Sequence, residues 1–127
     1  MALKMTTREV DGVSVVALDG RIVLGEESNA LREKIKALIA EGKKKVVLNM
    51  DNITFIDSAG LGELVVVHMW IRASGCSLKL AGVNPRVREL FELTNLLSVF
   101  DVYPTLDDAL VSFHRQSAQP KRAAHAA

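Results

Sequence analysis

The sequence predicts an α/β domain with a mixed, largely parallel sheet that opens with an antiparallel hairpin and carries about four helices. Three observations carry that expectation. Two strand-like runs flank Asp11-Gly12, a dipeptide suited to a two-residue hairpin turn. Strand-like and helix-like stretches then take turns, and strand–helix–strand connections demand crossovers and parallel strands. At Thr54–Gly62 an acid, a hydroxyl and two glycines separate an apolar strand from an apolar helix, the chemistry of a strand-to-helix corner.

The elements follow in order. Residues 4 to 9 and 13 to 18 form the hairpin strands, and the second is largely apolar through Val13, Val15, Val16 and Leu18. Asp19-Gly20 closes it, and Arg21 to Gly25 is a short connection containing Ile22-Val23-Leu24. Glu26 and Glu27 place negative charge in the first turn of a helix, whose stripe is Leu31, Ile35, Leu38 and Ile39 and whose end is Gly42. Lys43-Lys44-Lys45 reads as a solvated turn with cations near a helix C-terminus in preference to a phosphate or lipid patch, and Val46 to Met50 is a strand leading into the corner.

Gly62 to Ser74 carries the β-branched run Val65-Val66-Val67. Its length and the recurrence of Leu61, Leu64, Val65, His68 and Arg72 nevertheless make it a buried helix, ended by Gly75. Ser77 to Ala81 alternates as a strand. Asn84-Pro85 starts the next helix, with Val87, Leu90 and Phe91 on its apolar face. Val99 to Tyr103 reads as a last strand, and Thr105–Asp108 caps a final helix lined by Leu106, Ala109, Leu110 and Phe113. Residues 1–115 make one domain, and 116–127 read as a disordered tail.

Composition narrows the function. Sixteen basic and fifteen acidic side chains leave +1, which gives no nucleic-acid footprint. The start lacks a signal-peptide core, and the longest apolar run, Leu64 to Ile71, is too short to span a bilayer. With Cys76 as the single cysteine, a cytoplasmic domain without membrane insertion is expected. Gly60-Leu-Gly62 begins like a dinucleotide loop, but Val65 stands where the third glycine belongs. Cys76, His68, His114 and His125 lie at no metal-ligand spacing, so neither a cofactor nor a metal is expected.

Ser58 at the corner has no base in reach. His68 is ten residues on, about 15 Å along a helix, and there is no Gly-x-Ser-x-Gly elbow. Nothing asks for an enzyme. A helix start suits an anion, so Ser58 reads either as a helix cap or as a displayed hydroxyl. Gly60 and Gly62 read as close packing of the new helix on the sheet, and His68 as a satisfied core or edge histidine.

Phe55-Ile-Asp-Ser58-Ala-Gly-Leu-Gly62 resembles the signature of the STAS domain, specifically of bacterial anti-sigma factor antagonists. Gly20-Arg-Ile, Gly82–Phe91 with Thr94–Leu97, and Val99-Phe100 extend the resemblance over roughly residues 5 to 113. It implies partner switching. The unmodified protein binds an anti-sigma factor that is also a serine kinase, which frees a sigma factor for transcription. Phosphorylation on Ser58 releases the kinase, and a PP2C-type phosphatase reverses the modification. The resemblance thus implies a binder and substrate, with Asp57, Ser58, Ala59, Gly60, Leu61, Gly62 and Glu26 at the partner surface. Leu61 is the expected apolar contact. One departure stands out: an acid common in the family is Val23 here, with Glu26 three residues later. The same domain also serves as a subunit docking on the ATPase of an ABC transporter and as a stressosome-like scaffold, the two alternative roles.

Overall fold

A computed structural model describes residues 3–118, the side chains of 26–28 and 115–118 lying outside that description. Its elements are β1 (Leu3–Val10), β2 (Val13–Ile22), α1 (Glu26–Ala40), β3 (Lys45–Ile56), α2 (Ser58–Ala73), β4 (Ser77–Ala81), α3 (Pro85–Leu93), β5 (Val102–Tyr103) and α4 (Leu106–Ala118). The five-stranded sheet runs β1-β2-β3-β4-β5; β1 pairs antiparallel with β2 and every other pair is parallel. Asp11 and Gly12 make the hairpin turn with φ of 50° and 85°, the two left-handed positions such a turn needs.

The continuous apolar runs are explained by burial on both faces. Val16, Leu18, Leu48, Leu78 and Leu80 join a core with Leu31 and Ile35 of α1, Leu64 and Ile71 of α2 and Phe91 of α3. Val13, Val15, Val47 and Ala81 face the other way, onto Ala109 and Phe113 of α4. Three helices therefore cover one face and α4 the other.

Several boundaries differ from expectation. Asp19-Gly20 does not end β2. The β2–β3 register slips between Ala17 and Asp19 and again between Gly20 and Arg21, β3 spending one extra residue each time. These bulges let β2 reach Ile22 and β3 run to Ile56, so Thr54 to Ile56 belong to the strand and the corner shrinks to Asp57. Helix α2 begins at Ser58, four residues before Gly62. The last strand is only Val102–Tyr103, because the chain turns at Val99 and buries Phe100 against Phe91. Helix α4 continues to Ala118, so Gln116 to Ala118, expected in the tail, are helical backbone; 119–127 lie outside the described residues.

Candidate functional site

The start of α2 is held by one carboxylate. Asp57 is the N-cap: its Oδ1 accepts from the Gly60 N–H at 2.7 Å, and its Oδ2 accepts from the Leu24 N–H at 3.2 Å, 33 residues away in sequence. Its own N–H donates to the Ile22 carbonyl at 3.3 Å. The hydrogen bond from Gly60, aided by that from Leu24, holds the Asp57 carboxyl below its ordinary range against the opposing effect of burial. The end of β2, the connection after it and the first turn of α2 thus form one braced corner.

This corrects the reading of Ser58 as the cap. A capping side chain must sit one position before the helix, and Asp57 occupies that position with extended backbone. Ser58 is the first helical residue and is exposed, and its hydroxyl has no hydrogen-bond partner among the described residues.

The two glycines separate as well. A Cβ on Gly60 would lie 2.0 Å from the Ile22 carbonyl oxygen, so this glycine lets the helix sit on the strand. A Cβ on Gly62 would meet nothing within 4 Å, and Gly62 is exposed one turn beyond Ser58. Packing on the sheet therefore accounts for Gly60 alone. Leu61 is 6% exposed and packs in the main core, because α2 turns it inward, so it is not the apolar partner contact expected. Ala59 is half-buried. Apolar surface near the corner comes instead from Leu24, 74% exposed, and from Phe55, two residues before Asp57. Glu26 is the first residue of α1 by backbone, and its side chain lies outside the described residues.

Other groups escaped sequence reasoning because their partners are remote. Glu63 is buried and holds Arg32 of α1 through both carboxylate oxygens, Nε at 2.9 Å and Nη2 at 2.5 Å, which raises the guanidinium above its usual range. Lys79 is 2% exposed beneath α4. It donates to Tyr103 Oη at 3.1 Å and to Ser112 Oγ, and pairs with Asp101 at 3.3 Å. His68 is buried as expected, but it is not satisfied: its Nδ1 has no partner among the described residues. Among the described residues no cluster of three His, Cys, Asp or Glu could hold a metal, and no helix is long and apolar enough to cross a membrane.

The family model for the STAS domain matches residues 4–109. The chain is 31% identical over 111 residues to a candidate anti-sigma factor antagonist, BtrV, of Bordetella bronchiseptica, covering 87% of this chain and 95% of that one. It is 26% identical over 110 residues to the anti-sigma F factor antagonist of Paenibacillus polymyxa, covering 87% and 94%. Among solved structures, an anti-sigma factor antagonist from Mycobacterium paratuberculosis superposes with a TM-score of 0.75 at 28% identity, covering 87% of this chain and 93% of that one.

Proposed function

The chain belongs to the STAS domain family, and from that premise we propose that it is an anti-sigma factor antagonist switched by phosphorylation of Ser58. Unmodified, it binds an anti-sigma serine kinase and frees a sigma factor; phosphorylated, it lets the kinase go, and a PP2C-type phosphatase resets it. The protein acts as binder and substrate and performs no catalysis of its own.

One observation carries this reading: Ser58 offers an exposed hydroxyl, unpartnered among the described residues, at a helix start whose cap is already supplied by Asp57. The helix does not need that hydroxyl, so it is available to another protein's active site. Among the described residues nothing is hydrogen-bonded to it, and the neighbouring Asp57 carboxylate is engaged by the Gly60 and Leu24 N–H groups, which argues against an attack of its own. Gly62, bare and exposed one turn on, leaves room for a partner to approach. Leu24, whose N–H donates to Asp57, adds exposed apolar surface at the corner.

The electrostatics supports the same switch. A phosphoserine adds about −1.5 to −2 charges at neutral pH, and the helix start tolerates them. Asp57 stays ionised through its two amide bonds, so the new charge arrives beside a fixed one. The modification therefore acts at the partner surface rather than by unfolding the domain. Shifting a complex from almost wholly bound to almost wholly free takes about 5.5 kcal/mol of differential affinity, a scale that an unpaired desolvated charge can supply. The family's common acid is Val23 here, and Glu26, three residues on, is the candidate to take its role.

Intact-protein mass after incubation with the cognate kinase and ATP is expected to rise by one phosphoryl group. Ser58→Ala abolishes the gain while keeping the fold, and Ser58→Asp weakens kinase binding. Modification of Ser58→Ala to the wild-type extent would remove Ser58 from the switch.

A further inference from the structure

A second concave site lies toward the other end of α2. Its walls are His68 and Arg72 of α2, Cys76 to Lys79 leading into and along β4, and Val99 and Asp101 after α3. The cleft measures about 390 Å³, within the range of small-molecule sites. It is open because β5 is so short: β5 pairs only with Leu80 and Ala81, and no strand lies opposite Ser77 to Lys79 on that side.

Three donors line this cleft beside the acceptors of Asp101 and the Leu78 carbonyl. Ser77 donates its N–H toward the β3 side, to Lys44, and Leu80 donates toward the β5 side, to Asp101. By the alternation of a strand, the Leu78 N–H points with that of Leu80, toward the cleft. His68 is 7% exposed, its ring edge-on to Phe100 at 5.2 Å, with Nδ1 sealed off and unpartnered. A buried N–H without an acceptor costs more than a buried nitrogen lone pair, which favours the tautomer with its proton on Nε2. Burial, and then the Arg72 charge, keep the ring neutral by holding its pKa below the usual value, while Asp101 pulls the other way. Arg72 is exposed and has no ion-pair partner among the described residues. The acid in the cleft, Asp101, already pairs with Lys79 and accepts from the Tyr103 hydroxyl.

We propose that this cleft binds a small organic carboxylate, paired with the Arg72 guanidinium and accepting hydrogen bonds from His68 Nε2–H and the Leu78 N–H. A planar guanidinium matches a carboxylate's two oxygens. Val99 offers an apolar wall for the rest of the ligand. Asp101 in the lining disfavours a phosphate dianion more than a monoanion, which favours a carboxylate over phosphate.

The test is a titration of the full-length, isotope-labelled protein followed by amide NMR, with benzoate, benzamide and inorganic phosphate as separate probes. Benzoate is expected to give saturable shifts confined to residues 68–79 and 99–101. Benzamide, the neutral isostere, binds about tenfold more weakly or worse, as does benzoate to Arg72→Gln, a surface substitution that leaves the spectrum dispersed. Phosphate is weaker than benzoate. Absence of saturable shifts with benzoate, equal binding of benzamide, unchanged affinity in Arg72→Gln, or tighter binding of phosphate would each overturn the proposal.

Discussion

Replacing Gly62 with alanine separates what the fold needs from what a partner needs. Gly62 lies inside α2, and a Cβ there meets nothing within 4 Å, so the methyl neither clashes nor gains burial. What remains is the helix penalty of glycine, about 1 kcal/mol relative to alanine. Gly62→Ala should therefore raise stability by about 1 kcal/mol, or about 4 °C in Tm for a domain of this size. Gly60→Ala, two residues earlier, must move the Ile22 carbonyl off a 2.0 Å approach and should cost about 3 kcal/mol. Calorimetry reads both values. The same Gly62→Ala protein, more stable than wild type, should nevertheless be a poorer kinase substrate. A methyl pushed into a close contact costs about 1–3 kcal/mol, which lowers kcat/KM about 5- to 150-fold. A fall in Tm for Gly62→Ala would show that the fold itself needs this glycine. A raised Tm with an unchanged phosphorylation rate would show that no partner comes close to it.

Three further outcomes follow from the buried and bonded charges. Asp57→Asn keeps an acceptor for Gly60 but cannot serve Leu24 as well, so its Tm should fall at neutral pH. Because the folded-state pKa of Asp57 is depressed, its contribution is present above about pH 4 and lost as pH falls through the folded value, so the two Tm–pH curves should converge in acid. The pKa of His68 is also depressed, so the unfolded chain binds a proton first and stability should decline as pH drops below about 6.5; His68→Leu should flatten that slope in a urea titration. Lys79→Met should change stability by no more than about 1 kcal/mol, since Ser112 still donates to Tyr103 Oη at 2.8 Å and a well-packed apolar side chain replaces a buried cation.

The features legible in the sequence are those whose cause is local. Asp11-Gly12 and Asn84-Pro85 sit where the chain turns and where α3 starts, Asn84 accepting from the Val87 N–H at 2.8 Å. The helical stripe of α1 was readable because its apolar positions face a single core. Features that depend on remote partners were not readable. Asp57 and Ser58 are both good capping residues one position apart, and the choice between them turns on a bond to Leu24 that no local pattern records. The polar run Asp51-Asn52 hides the length of β3, because two bulges reset its alternation. Lys79 looks like a solvent-facing strand position until α4 closes over it. At the candidate site, Ser58 was visible as a displayed hydroxyl, whereas the inward turn of Leu61 and the difference between Gly60 and Gly62 arise from how α2 packs on the sheet.

Strand order in this sheet equals chain order: every strand lies beside the one before it. That has a consequence for assembly. Each crossover spans a single helix, so no strand waits for a partner made much later, and the entropy of closing each loop stays small. During synthesis the hairpin can stand ready before β3 is made, and β3 before β4, so the sheet can grow from one edge as the chain emerges. The braced corner at Asp57 needs only β2 with the connection after it, β3 and the first turn of α2. The corner proposed to meet a partner is therefore in place about halfway through the chain, before α3 and α4 exist.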